Sequence, residues 1–329
     1  MKQLNLSEQI LAQIDSAAKV ISNGGLVAFP TETVYGLGAN ALDPIAVSKI
    51  FELKGRPKFD PLIVHIADIN DVKLLSSSNE SRIYQLAKIF WPGPLTIVVP
   101  KSPVVPDIVT AGLQTVGIRM PNNSIALELI KKSRCPIAAP SANKFGKISP
   151  TTAEHVKKYF PKIDFILDGG KTEIGIESTV IKLNEKGFEI LRHGVITREE
   201  IETIIPYHSE ENNSVISAPG MIKSHYSPNK PFYILNEKIK NKIDRSKAGL
   251  ISFSGNDTEG FKRVVYLSKK KDLSEAAENL FGAMHQLEES DVEIIVAETV
   301  PEKGIGIAIM DRLKKAAYKN QNDINKTKY

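Results

Sequence analysis

Short apolar runs that empty into polar loops recur along this chain, and they are too short to be buried helices, so they read as strands of a covered sheet. The first, Leu26 to Phe29, opens directly into Pro30 to Ala41, PTETVYGLGANA. Two threonines and a glutamate follow a buried strand there. Two glycines then let backbone N–H groups approach an anion or a planar ligand. The stretch reads as the floor of a polar ligand site, although an ordinary glycine-containing loop has the same composition.

Helical segments separate these runs. Ser7 caps a helix with apolar positions Ile10, Ile14, Ala17, Ala18 and Ile21, stopped at Gly24-Gly25. Ala46 to Leu53 reads as a short helix that delivers Lys54-Gly55-Arg56-Pro57, with Asp60 close behind. Further strands are expected at Pro61 to Ile66, which carries His65, at Leu95 to Val99, at Thr115 to Met120, which carries Arg119, and at Pro136 to Ala139. The last empties into Pro140-Ser141-Ala142-Asn143, and Lys144, Lys147 and Ser149 follow before a helix with Thr151 and Glu154 as its capping box. Ile163 to Leu167, Val180 to Leu183 and Phe188 to Leu191 complete the strands of this region, and Thr197 with Glu200 announces its last helix. Several strands follow one another without a helix, so a mixed twisted sheet is expected.

From Pro206 the pattern breaks, HSEENNS giving way to SAPGMIKSHYSP, a linker whose Met221, His225 and Tyr226 are costly to leave on a bare tether. Strand and helix signals then resume to the end, with a GxG at Gly304 to Gly306 read as a turn before the last helix. The organisation is a first domain at 1–205, a linker at 206–229 and a small α/β domain at 230–329.

Several chemistries are disfavoured. One cysteine, Cys135, excludes an internal disulfide and a multi-cysteine zinc site, and the six histidines show no close metal-ligand spacing. No Walker motif occurs, and GLGANA is separated from its strand by PTETVY, a poor fit to a dinucleotide site. No nucleophile elbow stands out. No run approaches 18 apolar residues and no signal-peptide order opens the chain, so a cytoplasmic location is the default expectation. The formal charge of +5 suits anionic substrates or transient RNA contact.

What remains is a set of polar residues delivered by strand ends: Thr31, Thr33, Lys54, Arg56, His65, Arg119, Ser141, Asn143, Ser178 and Arg192. Cations beside hydroxyls and an amide suit a substrate bearing phosphates and a carboxylate. A charged residue such as Arg119 in an apolar strand needs an anionic partner or a wet face. Taken singly, Lys54 and Arg56 could be a solvated pair, and Ser141 and Asn143 turn formers. Together they describe chemistry by positioning and charge neutralisation, as in phosphoryl and nucleotidyl transfer.

The ordered motifs PTETVYGLGANA, KGRPKFDPLIVHI, WPGPLTIVV, VGIRMP, PIAAPSAN, IGIESTVI, LRHG and APGMIKSHYSP resemble those of the threonylcarbamoyl-AMP synthase family in its two-domain form. The resemblance spans nearly the whole chain. It implies a YrdC-type α/β domain, a long linker and a smaller Rossmann-like α/β domain. It also implies a nucleotidyltransferase that condenses L-threonine, bicarbonate and ATP, with magnesium, to threonylcarbamoyl-AMP and pyrophosphate. The product would pass to the tRNA threonylcarbamoyl transferase.

By the same resemblance Thr33, His65, Arg119, Ala139 and Ser178 would hold threonine, Arg119 through the carboxylate. Lys54, Arg56, Asp60, Thr115, Ser141, Asn143, Ser149, Arg192 and Tyr226 would hold ATP, Tyr226 as part of a linker lid. The Lys54/Arg56 and Ser141/Asn143 pairs of the family are intact, no general base is implied, and no protein ligand to a metal is expected. On this reading Pro30 to Ala41 is the wall that selects threonine. The alternative is a noncatalytic RNA-binding module, and the basic segments at Lys131 and Lys144 keep a secondary RNA contact in view.

Overall fold

A computed structural model of the protein describes residues 6–209 and 225–326, with side chains as far as residue 320. The expected linker falls largely on 210–224, so Met221 and most of the expected lid lie outside the described residues, whereas its His225 and Tyr226 are described.

Helix α1 (Glu8–Ser22) is capped by the Ser7 hydroxyl and buries Ile14, Ala17, Ala18 and Ile21, as their spacing requires. Strand β1 (Val27–Phe29) is followed by β2 (Gly36–Asn40), which returns antiparallel to it. The second half of PTETVYGLGANA is thus a strand, which corrects the reading of its glycines. A Cβ on Gly38 would lie 2.7 Å from both the Phe29 ring and Ile137, so that glycine serves packing between layers.

Asp43 caps α2 (Pro44–Lys54), and Gly55, at φ 62°, ends it in the left-handed region and turns the chain toward Arg56. Then come β3 (Ile63–His65), α3 (Asp71–Leu75), α4 (Ser81–Phe90), β4 (Leu95–Pro100), α5 (Asp107–Thr110), β5 (Thr115–Arg119), α6 (Ser124–Ser133) and β6 (Ile137–Ala138). Helix α7 (Ala153–Tyr159) is capped by Thr152, one residue beyond the expected Thr151, whose own N–H donates to His155 Nδ1 at 3.3 Å. Strands β7 (Phe165–Ile166), β8 (Thr179–Asn184) and β9 (Gly187–Arg192) precede α8 (Arg198–Glu202), where the Thr197–Glu200 capping box forms as expected.

These strands make one nine-stranded mixed sheet in the order β7-β1-β2-β6-β3-β5-β4-β8-β9. Side-chain alternation feeds two cores: Ala28 packs on the face that holds α2 and α4, whereas Val27 and Phe29 pack with α1 and α6 on the other.

The remaining elements are β10 (Phe232–Ile234), α9 (Glu237–Lys240), β11 (Ala248–Ser252), β12 (Arg263–Tyr266), α10 (Leu273–Glu289), β13 (Ile294–Ala297) and α11 (Ile305–Lys326). Their four strands form a separate parallel sheet, β10-β13-β11-β12. One buried cluster joins the two halves of the molecule, for Val34, Ile148, Ile176 and Tyr226 pack with Leu280, Phe281 and Ile309. A fully buried side chain such as Ile176 contributes about 1.5–3 kcal/mol, so several of them hold the halves firmly together. Among the described residues no helix is long and apolar enough to cross a membrane.

Candidate active site

The ends of β1, β3, β5 and β9 and the loop after β6 converge on a partly open cleft. His65 and Arg119 are register partners across the parallel β3–β5 pair, so both strands deliver a polar side chain at the same level. Arg119 donates Nε to Gly93 O at 3.3 Å and Nη1 to Thr33 Oγ1 at 3.1 Å. Its Nη2 lies 2.7 Å from Glu32 Oε2, an ion pair with both groups almost fully buried. The anion required by a charge in an apolar strand is therefore Glu32.

Thr31 donates its hydroxyl proton to Val34 O at 2.7 Å, so in the 2.8 Å contact between Thr31 and Thr33 the Thr33 hydroxyl is the donor. Thr33 in turn accepts from Arg119, which fixes its lone pairs with respect to the cleft. Burial, assisted by the Arg119 charge, drives the His65 imidazole down to about 3, and its Nδ1 has no hydrogen-bond partner. The ring is neutral, with an uncommitted polar atom on the cleft wall.

The opposite side is cationic. Arg56 donates to the carbonyls of Asp60 and Pro61 and pairs with Asp60 Oδ2 at 2.9 Å. Burial raises the Asp60 carboxyl, and the Arg56 charge opposes that rise. Arg192 donates Nε to Ser178 O and Nη2 to Ser178 Oγ, both at 3.0 Å, and Ser178 Oγ also lies 2.8 Å from Thr96 Oγ1. Lys54 Nζ donates to the carbonyls of Ser141 and Asn143, and burial followed by the Arg56 charge lowers its pKa well below the ordinary lysine range. Lys54 thereby shapes the loop that bears Ser141. Asn143 donates to Lys144 O and Lys147 O, each at 2.8 Å.

Thr33, Arg56, His65, Arg119, Ala139, Ser141, Arg192 and Tyr226 line the cleft. Lys54, Asp60, Asn143, Ser149 and Ser178 are buried behind that lining and hold it through the contacts above or, for Ser149, through Glu177. Thr115 is not brought to the cleft: it begins the strand that Arg119 ends and pairs with Pro100. Tyr226 packs on Phe281 with ring centroids 5.2 Å apart, at a φ of 61° that a bulky residue adopts only under constraint.

Three lining or supporting residues were not singled out from the sequence for the site. Glu32 is the buried partner of Arg119, and its acidic neighbour to two threonines in PTET was the available signal. His225 lines the cleft, brought to about 3 by burial despite the nearby Glu177 charge. Glu177 also lines it; burial pushes its carboxyl up, but Arg312, Arg192 and the Ser149 hydroxyl together hold it at about 2. Cys135 is half-buried, does not line the cleft, and its thiol is pushed up to about 11 by burial.

A family model described as "Telomere recombination" matches residues 19–194, and one described as "Threonylcarbamoyl-AMP synthase, C-terminal domain" matches 196–318. The threonylcarbamoyl-AMP synthase of Pyrococcus abyssi is 46% identical, over 95% of this chain and 97% of that protein. That of Bacillus subtilis is 45% identical, over 93% of each chain. A crystal structure of P. abyssi Sua5 complexed with L-threonine superposes with a TM-score of 0.85 at 46% identity, covering 94% of this chain and 95% of that one. With both of its domains matched and similarity over nearly its full length, the chain belongs to the threonylcarbamoyl-AMP synthase family in its two-domain form.

Proposed function

We propose that the protein condenses L-threonine, bicarbonate and ATP to threonylcarbamoyl-AMP and pyrophosphate, a nucleotidyl transfer that serves threonylcarbamoyladenosine formation in tRNA. The observation that carries the reading is one cleft with two adjoining polar surfaces. Thr33, neutral His65 and Arg119 offer hydroxyl, imidazole and guanidinium contacts, and Arg56, Arg192 and Ser141 offer anion contacts.

In this reading Arg119 takes the threonine carboxylate and Thr33 and His65 orient the rest of the amino acid, with Ser178 behind them and Ala139 as wall. The threonine nitrogen forms a bond to the carbon of bicarbonate with loss of water. An oxygen of the resulting N-carboxylate then attacks the α-phosphorus, and the bond to the β-phosphoryl oxygen breaks as pyrophosphate leaves. Arg56 and Arg192 face the triphosphate, and Lys54, Asp60, Asn143 and Ser149 position that surface. Thr115 stands outside the cleft, paired with Pro100 at the far end of β5. Tyr226 closes one wall.

Magnesium enters as the counter-ion of the triphosphate, where it neutralises phosphate charge. The carboxylates at the cleft, Glu32, Asp60 and Glu177, each face a guanidinium, which suits a substrate-borne ion better than a protein-held one. The His155–His285–Glu289 group does not line the cleft, and its stacked imidazoles have protein partners, His155 Nδ1 accepting from Thr151 N at 3.3 Å and His285 Nε2 lying 3.1 Å from Ser149 O.

RNA binding by the same cations fits less well. Arg56, Arg119 and Arg192 are each 7% exposed or less, whereas a phosphate backbone is met by surface charge. The test is pyrophosphate release with threonine, bicarbonate and ATP, and again with each withheld. A threonine-dependent adenylate is expected, and release that ignores threonine would overturn the proposal.

A further inference from the structure

Glu177 poses a problem for a triphosphate site, because it places a carboxylate on the cleft wall close to Arg192. An unneutralised carboxylate there would repel phosphate and compete for the cations that should meet it. Its neutralising partner comes from the other half of the molecule. Arg312 on α11, with no solvent exposure, donates Nε to Glu177 Oε2 at 3.2 Å and Nη1 to the carbonyl of His193. The other carboxylate oxygen accepts from Ser149 Oγ at 2.6 Å. The Arg312 guanidinium also lies 5.7 Å from the centroid of the Tyr226 ring, and its Nη2 has no hydrogen-bond partner.

The loop that carries Glu177 is gripped on both sides. Ile174 N donates to Glu32 O and Gly175 N to Thr33 O, at 2.8 and 3.1 Å. Behind it, a Cβ on Gly175 would sit 2.3 Å from Glu278 O and 2.6 Å from Ala277 O, so α10 rests directly on the loop backbone. Helices α10 and α11 therefore set both the place and the charge of Glu177.

We infer that Arg312 is a positioning residue for the nucleotide side of the cleft, so that the second domain completes the ATP site from behind by cancelling the Glu177 charge. The inference rests on the synthase reading above. Arg312 does not line the cleft and acts through Glu177, Ser149 and Tyr226. It bears on the wall beside Arg192 through Glu177, and the threonine contacts of Thr33, His65 and Arg119 do not pass through it.

The test uses the full chain and the variants Arg312→Gln, Arg312→Lys and Arg312→Gln/Glu177→Gln. L-Threonine affinity, measured by calorimetry, is expected to stay near the wild-type value in all of them. In Arg312→Gln, kcat/KM for ATP is expected to fall about 10²-fold, the scale of a displaced positioning group. In the double variant, where position 177 no longer carries a charge that repels phosphate, at least tenfold of that loss is expected to return. Should Arg312→Gln fail to fold, Arg312→Lys carries the test, with an expected loss of about tenfold because a lysine ammonium cannot reproduce the planar spread that reaches both Glu177 and the His193 carbonyl.

Unchanged ATP kinetics in the single variants, or a double variant no better than Arg312→Gln, would show a packing role alone and overturn the inference. A wild-type chain with no threonine-dependent pyrophosphate release would instead overturn the synthase reading itself.

Discussion

Each domain places a crevice at the ends of its strands, and the two crevices treat their buried polar groups in opposite ways. In the second domain, residues after β10, β11 and β13 surround a hollow with Glu298 at its edge. That carboxylate accepts from Ser252 Oγ, Phe253 N, Ser254 N and Ser254 Oγ, at 2.7 to 3.0 Å. Around the first crevice, buried Glu32 Oε1, Asp60 Oδ1, His65 Nδ1 and Asn143 Oδ1 lack hydrogen-bond partners among the described residues. Burying a polar atom without a partner costs about 1–3 kcal/mol, so a fold that tolerates several in one place keeps them for something that arrives later. The same strand-end geometry leaves polar atoms open in one domain and makes a finished joint in the other. Satisfaction of the polar atoms, more than the topology, separates the two.

Acid should strain the first crevice and its borders most. Burial holds the folded-state values of His65, His225 and His285 at about 3, against an ordinary value of 6.5. Between those values the unfolded chain binds the protons that the folded chain refuses, so stability falls as pH drops below 6.5. Each histidine contributes a slope approaching about 1.4 kcal/mol per pH unit in that window. Glu177, held at about 2, adds a loss in the same direction below the ordinary carboxylate range. Denaturant titrations across pH 4–8 should show this slope, and His65→Gln should remove part of it. An unchanged slope in that variant would break the contrast between the crevices.

Arg119→Gln comes next. Removing one member of a buried, hydrogen-bonded charge pair costs 2–5 kcal/mol or more in recognition, so threonine-dependent turnover should drop about 10³-fold. The variant should also lose about 3–5 kcal/mol of stability, because Glu32 is left buried and unpaired. Adding Glu32→Gln should return most of the stability and none of the turnover. Recovery of both in the double variant would mean that the pair is structural, as the polar contacts of Glu298 are in the other crevice.

Glu298→Gln should have the smallest effect. A carboxylate with four protein donors is expected to cost about 1–3 kcal/mol of stability when replaced, with kcat of the folded enzyme within about twofold of wild type. A large kcat loss without a stability change would give the second crevice a role in the reaction.

Much of the first crevice was legible before the structure, for a physical reason: its residues sit where apolar strands stop, and Arg119 breaks an apolar pattern that burial alone would have kept. The supporting contacts were less legible because they depend on three-dimensional neighbours. Lys54 looks like half of a phosphate-binding pair, yet its ammonium holds the carbonyls of Ser141 and Asn143. Gly38 looks like a ligand cradle, yet it makes room for Phe29. Arg312 did leave a trace. It falls four residues after Ala308 and four before Ala316, inside the buried stripe of α11, where a cation has no place unless something meets it. What meets it is 135 residues away in the chain, beyond the reach of any local pattern.

That separation also has a consequence in time. Chains emerge from the ribosome at about 5–20 residues per second, so Glu177 would be made roughly 7–27 s before the arginine that neutralises it. A nascent first domain can build its sheet during that interval while the loop at Glu177 still lacks its anchor. If Arg312 acts as inferred, completion of the last helix is the step at which the nucleotide side of the cleft is finished, and a chain that stalls short of α11 would lack it.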